Sequence, residues 1–433
     1  MILTNARILT FDSDNRVLDN GSVEVRPNGT IGTILDRTEA RGRNVIDAQG
    51  KLLMPALINC HTHLYSTLAR GIPMPGPPPR NFPEILQKLW WRLDRALNYE
   101  DIYYSALIGL IDSAKSGVGT LVDHHSSPNA CAGSLDRIAQ AFHEVGLRGV
   151  LCYETSDRNG AAGARAGIAE NIRFIEQAQK QPGSALSASF GLHAAFTLSD
   201  RTLRRCVDAN QSLDSGFHVH VAEDHIDDGA ARRLCDAGIL NGRSLAAHCV
   251  HVTASEMDRL ARAQVNVVHN PQSNCNNAVG VQQLLRLSQK GVLVGLGSDG
   301  YSPRLWDEFK TAFHLQKLRA RDPRVAYHEA YAAAFLNNRT IAKKAWGLDI
   351  GRIEPGAKAD LVLIDYYPPT PMDSSNLFGH LLFGIANAPV DSLVVNGKHV
   401  LRGGKIVTVD ERAIAEKAVL QARSLWQRFE TLK

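Results

Sequence analysis

The sequence has no run approaching the ~20 consecutive apolar residues a bilayer-spanning helix needs, so no membrane partner is expected. Its first segment, MILTNARILTFDSDN, carries Asp early and lacks a positive stretch ahead of an apolar one, which argues against a secretory signal. The seven cysteines form no CxxC pair and are odd in number. Free thiols in a reducing cytoplasm are the simplest expectation. There is no basic cluster, and 48 Lys+Arg against 44 Asp+Glu leave a formal charge of only +4, so nucleic acid is not an expected partner. Gly295, Gly297 and Gly300 are not followed by GK[ST], so they do not form a phosphate loop. No GxSxG and no Ser/His/Asp nucleophile pattern occurs, and no repeat or low-complexity tract beyond one Pro-rich run. A composition of 44% hydrophobic and 21% charged residues excludes a disordered or collagen-like chain. Over 433 residues, one large barrel plus a smaller module fits as well as three average domains.

What the chain does have is histidine, sixteen in all, several in short apolar runs where a polar ring needs a reason. The first fifty residues read as β structure, with hairpin signals at Asn20-Gly21 and Asn28-Gly29. From about Leu52, apolar β-branched runs alternate with amphipathic stretches, as in βα units. Eight such runs each end in polar residues: LMPALIN at His61 and His63, GTLVD at His124 and His125, RGVLCY at Glu154, SASFGL at His193, FHVHVA at Glu223, LAA at His248, VNVV at His269 and VLVGLGS at Asp299. Eight strand–helix repeats predict an α/β fold, a (β/α)8 TIM barrel whose reactive groups gather at the C-terminal strand ends. Asn396-Gly397 marks a return to short strands. The expected division is 1–51 as the first part of a small composite β-sandwich, 52–348 as the barrel, and 349–433 as the second sandwich part with a C-terminal helix. The insert IPMPGPPPRNFPEILQKLWWRLD should lie over the barrel mouth as loop and helix.

His61 and His63 point to the same side because strand side chains alternate with period two. His220 and Asp299 end the fifth and eighth strands, which barrel closure would bring beside the first. Three imidazoles and a carboxylate suit one divalent metal ion per chain, zinc first and iron second, with room for water. Asp299 can accept a proton from the attacking water, and Glu223, just beyond His220, can return one to the leaving nitrogen. A helix-capping surface glutamate is the bland alternative. His248 would polarise substrate or hydroxide rather than sit as a packed core histidine. His193 and His269 are expected to face substrate, with structural hydrogen bonding close behind. His218 should pack one layer behind His220. Of His124 and His125 only one can face the pocket, and His125 is taken as nearer the rim. Arg158, with Asp157, could hold a carbonyl or anionic substrate edge, or form a solvated salt bridge. Trp90 and Trp91 could stack on a flat ring, although at least one should pack in its helix.

MPALINCHTH followed by STLARG, then HVHVAE, AAHCVH, VHNPQSN and GLGSDG, together resemble the amidohydrolase superfamily in its mononuclear deaminase and chlorohydrolase branch. The resemblance covers nearly the whole chain, including IGRIEPGAKADLVLID. It implies that His61, His63, His220 and Asp299 are metal ligands, that Glu223 shuttles a proton, and that His248 assists hydroxide and substrate. No lysine ends SASFGLHAAF, which argues against the carbamylated-lysine binuclear type. DHHSSP, YETSDRNG, HNPQSNCNNAVG and SDGYSP look most like the aminohydrolases of the selenium-metabolism (SsnA) type. In the better-known deaminases the segment after the SN continues as a KLGSG-like stretch. Here it is Asn276-Asn277-Ala278-Val279-Gly280, and Ala56 replaces a glycine before the HTH strand. The expected activity is hydrolytic deamination of a small aminated nitrogen heterocycle, purine-, pterin- or pyrimidine-like. Hydrolysis of a cyclic amide and triazine-type chloride displacement are the alternatives. A non-catalytic metal-binding protein is the alternative of another class, but a purely structural site needs neither Glu223 nor His248. Self-association as a homo-oligomer stays open.

Overall fold

The computed structural model describes residues 1–38, 44–181 and 183–432. It is a mixed α/β structure with two parallel sheets and one larger sheet drawn from both ends of the chain. In the first parallel sheet, β6 (Leu57–Thr62), β7 (Val118–His125), β8 (Arg148–Tyr153) and β9 (Leu186–Ala188) lie side by side. In the second the order is β10 (Phe190–Ala194), β11 (Phe217–Val221), β12 (Leu245–His248), β13 (Asn266–His269) and β14 (Leu293–Leu296). Parallel bridges Thr155↔Leu192 and Thr62↔Asp299 link the sheets at both edges. Helices such as Tyr99–Lys115, Ser134–Val145, Asp200–Asn210 and Ala254–Arg262 connect successive strands. Nearly every residue of these strands is buried, which explains their unbroken apolar runs: each sheet is covered on both faces.

The run SASFGL, expected as one strand, changes sheets at Ser189, so its first half belongs to β9 and its second to β10. LMPALIN is likewise two strands. Leu52–Pro55 (β5) pairs with β1 (Ile2–Leu9) and with β15 (Leu361–Ile364), and only Leu57 onward enters the parallel sheet. Pro55, without an N–H, stands at the end of β5.

The larger sheet has nine strands, β1 to β5, with β4 at Val45–Asp47, and β15 to β18, with β18 at Lys405–Ile406. Asn28-Gly29 makes a turn between β2 (Val17–Val25) and β3 (Ile31–Leu35). Asn396 and Gly397, both at positive φ (53° and 75°), turn β16 (Val390–Val395) into β17 (Lys398–Arg402). Asn20-Gly21, expected as a third turn, lies inside β2 instead. There Gly21 opposes Ala6 across an irregular stretch of the β1–β2 register, and the positive φ of Asn20 (55°) serves that irregularity. The C-terminal helix Glu411–Thr431 returns to the helical layer, where Gln421 Nε2 donates to Asp101 and Trp426 Nε1 donates to the Leu68 carbonyl. Among the described residues, no helix is long and apolar enough to cross a membrane.

Candidate active site

Polar residues at the C-terminal ends of the parallel strands converge on one point. His61, His220, His248 and Asp299 each bring a ligand-type atom within 4.8 Å of the others. His63 joins them, its Nε2 lying 3.0 Å from Asp299 Oδ1 and 3.1 Å from His220 Nε2. The backbone is bent to achieve this, with Ala222, His248, Cys249 and Asp299 at φ between 47° and 70°. Non-glycine residues adopt that region at a cost, and such strain concentrates at functional sites.

The second ring nitrogens explain why a cation fits. His63 Nδ1 donates to the His124 carbonyl (2.5 Å) and His220 Nδ1 to the His193 carbonyl (2.8 Å). When both rings are neutral their Nε2 lone pairs therefore face each other, an arrangement that repels unless a proton or a metal cation lies between them. His61 Nε2 and His248 Nε2 are buried without any hydrogen-bond partner. A buried polar atom left unpaired is costly, whereas a divalent cation among N/O donors removes both problems. His61 Nδ1 is held in turn by His218 Nε2 at 2.9 Å, the supporting position expected for His218.

Glu223 stands beside this cluster, with Oε2 3.5 Å from His248 Nε2. Burial pushes its carboxyl up to about 7, against the opposing influence of His248, so it can hold a proton near neutral pH. His248 Nδ1 donates to Asn274 Oδ1 (2.8 Å), and Ser273 Oγ donates to Asp299 Oδ2 (2.5 Å).

A cleft of about 780 Å³, counted with its open mouth, rises from these groups and is lined by His63, Glu223 and Asp299 at its base. One wall is the helical stretch 82–96, interrupted by a π-helical turn at Leu86–Trp90, which delivers Phe82, Leu86, Trp90, Trp91 and Asp94 to the cleft. The helical part of the expected insert thus forms a wall of the cleft. His193 lines the cleft too, its Nδ1 paired with Thr197 Oγ1 (2.8 Å). Arg158 also lines it, lying over the Trp91 ring (5.1 Å) between Asp94 (3.3 Å) and Glu154 (3.4 Å). Burial pushes Asp94 up to about 7 despite Arg158. Asp157 turns away to accept from Ser199 N and Thr202 Oγ1, so it braces a helix.

Two expected substrate contacts do not reach the cleft. His125 is buried against Ser127 Oγ (2.8 Å) between Tyr65 and Tyr153. Strand alternation turns His124 inward instead, where it pairs with Glu154 Oε1 (3.0 Å) and the His218 carbonyl (3.1 Å), which leaves His125 facing outward. His269 lies fully buried outside the cleft lining, and burial pushes its pKa down to about 3. Glu154, Ser273 and Asn277 were visible in the sequence, as a strand end and within the HNPQSNCNN segment, but had no assigned role. Asp94 and Tyr65 carried no signal in spacing or type.

The model of the Amidohydrolase family matches residues 52–407. The chain is 32% identical to a 5-methylthioadenosine/S-adenosylhomocysteine deaminase from Desulforudis audaxviator, over 98% of this chain and 99% of that protein. It is 30% identical to a 5'-deoxyadenosine deaminase from Methanothermobacter thermautotrophicus, over 98% of each. The crystal structure of a zinc-bound adenosine deaminase from Xanthomonas campestris superposes with a TM-score of 0.84 at 24% identity, covering 100% of this chain and 98% of that one. With its site built on parallel-strand ends and a family match across most of its length, the chain belongs to the amidohydrolase family.

Proposed function

We infer that this protein is a metal-dependent hydrolytic deaminase that releases ammonia from an adenosine-like heterocycle. The observation that carries the reading is the buried Glu223 carboxyl set 3.5 Å from His248 beside a cluster of imidazoles with unpartnered ring nitrogens. The bridges at both sheet edges support a closed (β/α)8 barrel beginning near Ala56, with the terminal strands as one appended composite unit. The assigned ligands are His61, His63, His220 and Asp299, with zinc as the ion because the donor set is nitrogen-rich and the structural relative holds zinc. Such an ion would supply Lewis acidity, making water nucleophilic near neutral pH.

The residues account for the rest. Water attacks the amino-bearing ring carbon, and its proton passes to Asp299. The C=N π pair moves onto the ring nitrogen as the C–O bond forms, Glu223 Oε2 protonates the departing nitrogen, the C–N bond breaks and ammonia leaves. The oxygen stays as a ring carbonyl, its second proton ends on the ring nitrogen, and the proton held by Asp299 returns to Glu223. His248, fixed by Asn274, orients the attacking oxygen. The aromatic wall of Trp90, Trp91 and Phe82 suits a purine face and an apolar sugar substituent, and the names of the relatives point to 5'-modified adenosines as substrates.

Zinc-loaded protein incubated with 5'-deoxyadenosine, 5'-methylthioadenosine and adenosine should release one ammonia per converted base, read by coupled ammonia assay and purine absorbance. Glu223→Gln should keep its metal and lose at least about 100-fold in kcat. Absence of ammonia from all three nucleosides, or full turnover by Glu223→Gln, would overturn the reading.

A further inference from the structure

The short helix Pro271–Asn276 and the residue that caps it touch three reactive groups within one turn. Ser273 holds Asp299 and Asn274 holds His248, as described above. The third contact falls on the segment where this sequence departs from the KLGSG-like stretch of better-known deaminases. Asn277, where that stretch has leucine, donates Nδ2–H to Glu223 Oε1 at 3.2 Å. Its own Oδ1 accepts from Asn276 Nδ2 (3.2 Å) and its Nδ2 also reaches Ser273 Oγ (3.5 Å), a network that puts the amide nitrogen toward the carboxyl. Both residues are buried, at 8% and 9% exposure, and both line the cleft.

We propose that Asn277 is a positioning residue that reserves Glu223 Oε1 as a hydrogen-bond acceptor and so directs the transferable proton to Oε2. An amide N–H needs a lone pair opposite it. While Asn277 donates to Oε1, a proton on that oxygen would have to displace the contact, so the neutral carboxyl carries its hydrogen on Oε2. That oxygen faces His248 (3.5 Å), the residue assigned to the attacking oxygen. Without the amide the carboxyl can rotate or take its proton on the wrong oxygen, and each turnover must first reorient it. The proposal rests on Glu223 as the proton carrier. It gives the sequence departure a function: a polar clamp on the shuttle in place of an apolar neighbour.

The test uses zinc-loaded full-length protein with 5'-deoxyadenosine, comparing wild type, Asn277→Leu, Asn277→Asp and Glu223→Gln, each with Asn277→Leu combined in the last background. Asn277→Leu and Asn277→Asp should both lower kcat by about 10- to 100-fold, the range for losing a supporting partner. KM, metal content and melting temperature should stay near wild type, and the solvent deuterium isotope effect on kcat should rise in Asn277→Leu. In the Glu223→Gln background, Asn277→Leu should cost nothing more. A merely structural cap predicts a different pattern, because aspartate is nearly isosteric with asparagine and caps equally well. Wild-type kcat in Asn277→Asp, a loss confined to KM, or full additivity with Glu223→Gln would overturn the proposal. Glu223→Gln keeps its loss of at least about 100-fold, with measurable residual turnover, in each of those outcomes; if it turns over at the wild-type rate, the underlying reading fails instead.

Discussion

At the residue scale, the site is a set of imidazoles each fixed through the nitrogen that does not face the cluster. Three of those outer nitrogens are occupied by a carbonyl or amide oxygen, while that of His61 meets another histidine, His218. In the proposed ligand set, His61 is therefore the member whose support can be removed by changing a side chain outside the cluster. His218→Leu removes the acceptor from His61 Nδ1 within a fully buried site. It should weaken zinc binding by about 10- to 100-fold in a chelator competition. At saturating zinc, kcat should largely recover; unchanged affinity would mean that His218 only fills space. Residue chemistry is also where the sequence was most legible. A HxH pair, a HxxE pair and a SDG each state their chemistry through spacing on a strand. The direction of a side chain at a strand's last residue is less legible. His124 and His125 differ by one register step, and only the packing of His124 against Glu154 and the His218 carbonyl decides which one turns inward.

At the scale of elements, apolar runs located the strands but not their partners. LMPALIN and SASFGL read as single strands because burial on both faces erases the alternation that would mark a boundary. Their division at Ala56 and at Ser189 depends on which neighbour accepts the hydrogen bonds, and that is tertiary information. Asn20-Gly21 failed as a turn for the same reason, since a positive φ serves a strand irregularity as well as a hairpin. Where β6 and β14 adjoin, one helix side chain adds to the Thr62↔Asp299 bridge and the backbone bonds to the His61 carbonyl. Fully buried Asn338, on the helix Asn338–Trp346, donates to the carbonyls of Ile58 (2.6 Å) and Leu296 (2.9 Å) and accepts from Leu296 N (2.8 Å). Leucine there would strand three backbone groups in the core. Asn338→Leu should lower unfolding stability by about 3 kcal/mol or more, taking about 1–3 kcal/mol per unpaired buried group. Urea denaturation measures it, and a loss under ~1 kcal/mol would show that the backbone groups find other partners.

At the scale of the whole molecule, the nine-stranded sheet must dock on the parallel sheets for β5 to lead into β6 and the HTH strand. That joint is apolar around Val362, Leu393 and Val395, with one charged pair buried in it. Arg148, on β8, reaches across to Asp360 just before β15 (2.8 Å and 3.1 Å), the two side chains being 2% and 3% exposed. Asp360 Oδ1 also accepts from Asn396 N (2.7 Å), which ties the β16–β17 turn into the same contact. Such a pair adds little over an apolar pair of the same shape, because both ions have given up water, yet removing one partner leaves the other uncompensated. Arg148→Met alone should therefore destabilise by about 3–5 kcal/mol. Adding Asp360→Asn, which keeps an acceptor for Asn396 N and removes the stranded charge, should restore much of that loss. Equilibrium unfolding of the wild type, both single variants and the double variant gives the coupling directly. Additive losses would mean the pair acts as two independent packing residues. Strong coupling would place the joint between the terminal sheet and the parallel sheets on this pair, at the opposite end of β8 from Glu154 and the cleft.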